Sequence, residues 1–183
     1  MTQKYQFNPM RTDKNFKTDI QPLIRRCFSQ DLIWDYGCDS LYLYLLTCDP
    51  GRFRPEEDGA LTGIFRFLSR FYARSFELWE EDNLRDSETE SFRSHFLSAM
   101  EYYERQQNFA HMLAEFMKTG NYMKKCCGAF SSGFDRDFLL EILKLLYPYA
   151  PGISSELYSV FTGKNISQLR LEEWPLQQAD QEP

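Results

Sequence analysis

The sequence predicts an all-α protein, a bundle of about five helices joined by short connections. Apolar residues recur at spacings of three and four over several long segments, which is the period of an α-helix. Glycine, proline and helix-capping residues separate these segments. The 183 residues are 43% hydrophobic and include 16 Phe, 11 Tyr and 3 Trp. This is enough apolar material for one packed core, so disorder is excluded as the overall state.

The first helical segments follow Ser29, which can cap a helix that pauses at Gly37. Asp39 or Ser40 can cap a second short helix, and the turn Asp49-Pro50-Gly51 ends it. A long helical stripe comes next, with the members Leu61, Ile64, Phe65, Leu68, Phe71, Tyr72 and Phe76.

The second half of the chain begins with an acidic run, Glu77 to Glu90, which favours a solvated connection. Stripes beginning at Phe92 and Phe109 and a strongly apolar segment, Phe138 to Tyr147, predict further helices. Their expected boundaries are Asn108, Gly120, Asp135, Pro148, Pro151 or Ser154, and Gly163. Residues Ile166 to Trp174 predict a short extended tail.

Charge is distributed unevenly along the chain. The net charge is −6, with a pI near 5.0, but residues 1–28 alone carry +4 and the remainder −10. We expect a basic, irregular N-terminal arm over residues 1–28, a helical bundle over 29–176 and a disordered tail over 177–183. The acidic balance argues against a dedicated high-affinity nucleic-acid binder, which is normally basic.

The cysteines and the apolar pattern favour a cytoplasmic location. The five cysteines are irregularly spaced, with no Cys-x-x-Cys, so a disulfide scaffold is not expected. The N-terminus lacks the apolar run of a signal peptide, and no segment is long and apolar enough to cross a membrane. We therefore expect a reduced protein without membrane association.

Signatures of enzyme chemistry are missing from the sequence. There is no glycine-rich phosphate loop and no nucleophile elbow, so we expect neither a cofactor nor catalytic residues. Two histidines leave little for a metal site, and none is expected. The adjacent Cys126 and Cys127 favour structural burial or inert exposure over redox chemistry, since adjacent cysteines rarely form a relaxed disulfide. His111 lies beside an apolar stripe, and we expect it to be a hydrogen-bonded histidine at the surface or at the boundary of the core.

Three arginines form the most suggestive polar pattern. Arg66, Arg70 and Arg74 follow one another at i, i+4 and i+8, which aligns their guanidinium groups on one helix face. Such a row could follow a phosphate backbone, whereas the alternative is pairing with the chain's many carboxylates. Further RNA-binding candidates are Lys118, Lys124 and Lys125, which could equally be ordinary solvated charges, and Arg25 and Arg26 of the arm.

Several motifs in register resemble one family. Asp31-Leu-Ile-Trp-Asp-Tyr-Gly-Cys-Asp-Ser-Leu-Tyr-Leu-Tyr precedes Gly63-Ile-Phe-Arg-Phe-Leu-Ser-Arg, and Leu145-Leu-Tyr-Pro-Tyr-Ala-Pro-Gly-Ile-Ser-Ser-Glu-Leu-Tyr follows later. Asn108-Phe-Ala and Glu172-Glu-Trp-Pro lie at matching places. In this order they resemble the helical anticodon-binding domain of class I aminoacyl-tRNA synthetases, most closely the leucyl branch. The resemblance covers about residues 29–176 and implies an all-α bundle that contacts tRNA.

The departures from the family concern its chemistry. Thr18-Asp-Ile-Gln-Pro stands near the place of the ATP-binding Lys-Met-Ser-Lys-Ser loop, and the chain has no length for the nucleotide-binding catalytic domain with its His-Ile-Gly-His. Tyr42 replaces an arginine of the family motif and Gly152 replaces a histidine, whereas Asp39, Arg66 and Arg70 are retained. The resemblance therefore implies no aminoacylation activity for this segment.

Three hypotheses follow. The first is a stand-alone tRNA-binding or synthetase-associated module. The second is a protein-interaction domain that has lost RNA binding, motivated by the 30 aromatic residues, because aromatic side chains are enriched at interfaces. The third is a domain cut from a full leucyl-tRNA synthetase, against which Met1 and the altered loop motif argue. Two surface features distinguish the first two hypotheses. A large apolar patch would favour the protein-interaction domain, whereas a row of arginines without carboxylate neighbours would favour RNA binding.

Overall fold

The computed structural model describes residues 20–49, 53–55, 59–81, 86–127 and 133–168. In these ranges the chain forms seven α-helices and a closing 3₁₀ turn. The helices are α1 (Ile20–Cys27), α2 (Gln30–Thr47), α3 (Gly59–Glu81), α4 (Ser87–Arg105), α5 (Phe109–Cys126), α6 (Arg136–Leu146) and α7 (Pro151–Thr162), and the 3₁₀ turn is Ile166–Gln168. The prediction of an all-α bundle is confirmed, although the helices number seven rather than about five.

Helix α3 is the centre of the bundle. It packs against α2, α5, α6 and α7, while α4 packs against α5 and α1 against α2. The predicted stripe of α3 is buried at Leu61, Ile64, Leu68 and Phe71, as its spacing of three and four requires. None of the helices in the described ranges is long and apolar enough to cross a lipid bilayer.

Helix ends follow the predicted capping residues closely. The side chains of Ser29, Asn108 and Asp135 accept hydrogen bonds from backbone N–H groups in the first turns of α2, α5 and α6. Pro151 stands at the start of α7, and Gly163 ends it in a left-handed conformation (φ 69°). Local chemistry was therefore sufficient to place these boundaries.

Gly37 divides α2 into two short helices. Its backbone has φ 73° and ψ 161°, a conformation that glycine adopts without steric cost, and the predicted pause at this position is confirmed. Asp39, however, does not cap the second half. Its carboxylate instead accepts hydrogen bonds from the N–H groups of Gly152 (3.0 Å) and Ile153 (2.7 Å), so it caps α7.

Gly152 leaves room for this contact. A Cβ atom at position 152 would lie 3.0 Å from Oδ2 of Asp39 and 3.2 Å from Oδ1, closer than side-chain carbons normally approach oxygen. The absence of a side chain at position 152 thus coincides with close packing of the Asp39 carboxylate. We refer to this contact between α2 and α7 as the Asp39 clamp.

The end of the predicted irregular arm is helical. Residues 20–27 form α1, because Ile20, Ile24 and Phe28 lie at spacings of four and are all buried against the bundle. Pro22 is tolerated since the N–H groups of a first turn have no helical partner anyway. Residues 1–19 lie outside the described residues, as does the tail from residue 169 onward.

Three further predictions are wrong. Gly120 does not end α5, which continues to Cys126, because Gly120 is buried against α3 rather than exposed at a helix end. The acidic run is largely helical, since α3 extends to Glu81 and Asp86 caps α4 by accepting a hydrogen bond from the N–H of Thr89 (2.7 Å). Residues 82–85 lie outside the described ranges. Ile166–Gln168, predicted as extended, form the 3₁₀ turn.

Candidate nucleic-acid interface

A groove with a volume of about 330 Å³ runs between α3 and α5. Its lining combines three guanidinium groups with apolar and small residues. The lining residues are Gly63, Arg66, Phe67, Arg70, Phe71, Arg74, Met117, Gly120 and Asn121. The predicted arginine row therefore lies along a concave surface, not on a flat helix face.

Gly120 allows the two helices to approach each other beneath the groove. A Cβ atom at this position would lie 3.2 Å from Cε2 of Phe67, a tighter contact than most side chains make. The Phe67 ring, which is 8% exposed, therefore packs directly on the α5 backbone and forms an apolar floor. The sequence suggested a helix stop here because glycine is common at helix ends as well as at close helix contacts.

Arg66 and Arg70 are solvent-exposed cations on the groove lining. Both are exposed, and helix geometry separates them by about 6 Å along the axis of α3. Across the described part of the chain, no carboxylate forms an ion pair with either guanidinium. Of the two alternatives for this row, the structure favours free guanidinium groups at these two positions over pairing with carboxylates.

Arg74 has a different environment. It is half-buried, and its Nη1 donates a hydrogen bond to the backbone carbonyl of Gly120, which links α3 to α5. Glu77, Glu81 and Arg74 all act on the thiol of Cys127, where the two carboxylates raise the pKa and the guanidinium lowers it. Arg74 therefore contributes to the packing of α3 on α5.

The three lysine candidates are separated by their partners. Lys118 forms an ion pair with the buried Glu115 (2.7 Å), and this hydrogen bond raises the Lys118 pKa above its ordinary value. Lys125 pairs with Glu88 of α4 and lies over the Tyr122 ring, with Nζ 5.9 Å from the ring centroid. Both cations thus form ion pairs within the protein.

Lys124 extends the groove face. It is exposed and follows Met117, Gly120 and Asn121 at spacings of seven, four and three, which places all four on one side of α5. The sequence did not identify Gly120 and Asn121 as groove residues, because glycine and asparagine are typical of a helix end. The spacing of Met117, Gly120 and Asn121 was the signal that could have revealed them.

Arg25 and Arg26 lie away from this groove. Both are exposed in the last turn of α1, which packs against α2, whereas α3 and α5 form the groove. Arg25 is close enough to Cys38 to oppose the increase that burial and Asp39 cause in the pKa of that thiol. The structure therefore does not combine the arm arginines and the α3 arginines into one site.

The adjacent cysteines have no feature of a redox or nucleophilic centre. Cys126 is fully buried, and burial together with Glu77 and Glu81 raises the pKa of Cys127 to about 12. No group of three or more His, Cys, Asp or Glu side chains within the described ranges could hold a metal ion.

We expect Cys127 to react with iodoacetamide at least about ten times more slowly than the exposed Cys27 at pH 8, because the thiolate is the reactive species. Peptide mass spectrometry over a time course of alkylation measures both rates in one sample. Equal rates for the two residues would contradict the buried, protonated state of Cys127. A Cys27→Ser variant is the control for cross-assignment of the peptides.

The chain is similar to a segment of aminoacyl-tRNA synthetases. In particular, it is 26% identical over 164 residues to the leucine–tRNA ligase of Buchnera aphidicola, and 26% identical over 153 residues to that of Campylobacter concisus. A leucine–tRNA ligase of Prochlorococcus marinus is 26% identical over 161 residues. These matches cover 81%, 78% and 80% of this chain.

The similarity concerns only part of those ligases. The chain spans about a fifth of the length of the curated relatives it matches (18–19%). No protein-family model matches the sequence. The coarse part of the resemblance is thus confirmed, namely a relationship between this helical bundle and a segment of leucyl-tRNA synthetases.

Proposed function

We propose that the chain is a helical module of the leucyl-tRNA synthetase anticodon-binding type that binds tRNA and has no aminoacylation activity of its own. The observation that carries the proposal is the pair Arg66 and Arg70. Their guanidinium groups are exposed along a groove, and no carboxylate of the described residues pairs with them. Phosphate groups are the natural partners of such arginines.

The comparisons with known proteins support the synthetase-related part of the proposal. Relatives named leucine–tRNA ligases match about four fifths of the chain, and the matched length is too short to include the whole of such an enzyme. The motifs that resemble the family lie in α2, in α3, at the start of α5, and from the end of α6 into α7. Glu172-Glu-Trp-Pro lies outside the described residues. A module that binds tRNA or a synthetase would act in the cytoplasm, so this location is part of the proposal.

The alternative of a protein-interaction domain finds less support in the surface. The excess of aromatic residues is accounted for largely by internal contacts, such as the stacked pair Trp79 and Phe161 with centroids 4.5 Å apart. Among the described residues the exposed large hydrophobic side chains are Leu23, Trp34, Tyr102 and Val160. They come from four different helices, which does not favour one broad apolar patch.

A titration of fluorescently labelled tRNA at low salt tests the proposal. We expect salt-sensitive binding, with a log–log slope of roughly −2 to −3 for contacts that involve Arg66, Arg70 and Lys124. The double variant Arg66→Ala/Arg70→Ala should weaken binding and reduce the magnitude of this slope by roughly 1.5. No binding at tens of micromolar protein would contradict the proposal.

A second double variant serves as the matched control. Arg105→Ala/Lys164→Ala also removes two exposed positive charges, but both residues lie outside the groove lining. It should change the slope much less than the Arg66/Arg70 variant. Equal effects of the two double variants would indicate that only the overall charge matters, not the α3 surface.

A further inference from the structure

An exposed tryptophan lies in the first half of α2. The side chain of Trp34 is 57% exposed. Trp79, by contrast, is stacked on Phe161 and faces the guanidinium group of Arg136. An indole ring in water forgoes the free energy that burial of its large apolar surface supplies, and tryptophan is enriched at the centres of contact surfaces. Trp34 is therefore a candidate contact residue for a segment outside the described bundle.

Two carboxylates flank the Trp34 ring. Asp31 and Asp35 are exposed and one helical turn apart, and Trp34 lies between them, so the three side chains share one face of α2. Within the described ranges no ion pair involves either carboxylate. We refer to these three residues as the Trp34 face. Its chemistry fits a segment that combines an aromatic ring with positive charge.

Residues 4–17, which precede α1, have this composition. They hold four cations against one carboxylate, together with three aromatic rings, namely Lys4, Arg11, Lys14 and Lys17, Asp13, and Tyr5, Phe7 and Phe16. In Lys14-Asn-Phe16-Lys17 two lysines flank a phenylalanine, as two aspartates flank Trp34. The charges of the segment and of the Trp34 face are thus opposite, and both have an aromatic ring between the charges.

The segment is close enough to reach the Trp34 face. α1 begins at Ile20 and packs against α2. The rise of the two helices and the short link between them place Ile20 and Trp34 at most about 27 Å apart. Extended chain covers about 3.4 Å per residue, so residues 17 to 4 can lie up to about 10 to 54 Å from Ile20. The Trp34 face is therefore within reach at any angle between α1 and α2.

We propose that residues 4–17 dock on the Trp34 face of their own chain. The ring of Phe16 covers the indole of Trp34, and Lys14 and Lys17 form ion pairs with Asp31 and Asp35. The contact covers the exposed tryptophan and joins the basic segment to the acidic bundle. It involves neither RNA nor the groove between α3 and α5, so it can fail without affecting the proposed function.

Quenching of Trp34 fluorescence by acrylamide measures this contact in the full chain. Trp79→Phe/Trp174→Phe leaves Trp34 as the only tryptophan, and a phenylalanine at position 79 keeps a ring against Phe161. In this background Lys14→Glu/Lys17→Glu should raise the quenching constant about two-fold, because stacking covers one of the two faces of the indole. Acrylamide is uncharged, so the charge reversal does not itself alter its access to the ring.

Reversing the charges on the Trp34 face tests the same contact from its other side. Asp31→Lys/Asp35→Lys should raise the quenching constant similarly. The fourfold variant has opposite charges again and should return the constant towards that of the starting protein. Glu80→Lys/Glu104→Lys is the matched control, because it reverses two exposed carboxylates on α3 and α4 and should leave the constant unchanged. Circular dichroism checks that each variant is folded.

Four outcomes would overturn the proposal. The first is an unchanged quenching constant in Lys14→Glu/Lys17→Glu, and the second is a rise that the fourfold variant does not reverse. The third is an equal rise in the matched control, which would show that the segment responds only to overall charge. The fourth is a constant that rises on dilution of the starting protein, which would show that the segment binds a second copy of the chain.

Discussion

Replacing Phe138 by alanine is expected to lower the free energy of unfolding by about 3–5 kcal/mol. Phe138 is fully buried in the first turn of α6. Its ring contacts three others, with centroid distances of 5.1 Å to Phe134, 5.9 Å to Phe96 and 6.3 Å to Phe92. The variant loses the transfer free energy of the ring and leaves a cavity between α4 and α6 that these aromatic side chains fill only partly.

Urea denaturation monitored by circular dichroism measures the loss. Phe138→Leu is the control, because it keeps most of the apolar volume and should cost about 1 kcal/mol. The slope of free energy against urea should be the same in both variants if the unfolded states are equivalent. A loss below about 1 kcal/mol for the alanine variant would show that Phe138 is not at a packed position.

Replacing Asp39 by alanine should lower the free energy of unfolding by about 2 kcal/mol at pH 7. The variant removes the acceptor of both hydrogen bonds in the Asp39 clamp, from the N–H groups of Gly152 and Ile153. The first turn of α7 has no other side-chain cap. Asp39→Asn keeps an acceptor oxygen and should lose much less, which distinguishes the clamp from a general effect of charge removal.

The contribution of Asp39 to the free energy of unfolding should also depend on pH. Burial, opposed by the two backbone hydrogen bonds and increased by the nearby Glu156, raises the pKa of Asp39 from 3.8 to about 6. The folded state therefore binds the Asp39 proton more tightly than the unfolded state does. The stabilisation that comes from this protonation is fully present below pH 3.8 and is lost as the pH rises through 6. The stability difference between wild type and Asp39→Asn should therefore shift against wild type between about pH 4 and pH 7.

Urea unfolding of both proteins at several pH values measures this difference, and titrations common to both cancel in it. A difference that stays constant across this range would show that Asp39 ionises equally in the folded and unfolded states. A difference that shifts in favour of wild type with rising pH would reverse the sign and indicate that the carboxylate is stabilised, not desolvated.

The parts of the fold that depend on neighbouring residues were predictable from the sequence. The caps at Ser29, Asn108 and Asp135, the kink at Gly37 and the stripe of α3 each involve residues within a few positions of one another. The Asp39 clamp joins residues 113 and 114 positions apart, so local pattern assigned Asp39 to the helix beside it. α1 was missed for a related reason, because its stripe of three apolar residues becomes convincing only against α2.

For the candidate site, too, local spacing was predictable from the sequence and contacts between helices were not. The spacing of Arg66, Arg70 and Arg74 defines their shared helix face, and in the structure all three line one groove. Their different environments depend on other helices, since Arg74 is held by the Gly120 carbonyl of α5. The partner of Lys125, Glu88, is 37 positions away on α4, which no helical periodicity could indicate.

The Asp39 clamp has a consequence for how the bundle opens. α6 and α7 have 11 and 12 residues, a length at which an isolated helix is marginal in water. α7 therefore keeps its helical form through its contacts with α2, α3 and α6, and the first of these is fixed by Asp39. The C-terminal helix pair is not an independent cooperative unit, so the kinked α2 near one end of the chain and α7 near the other should exchange their amide hydrogens through a common opening event.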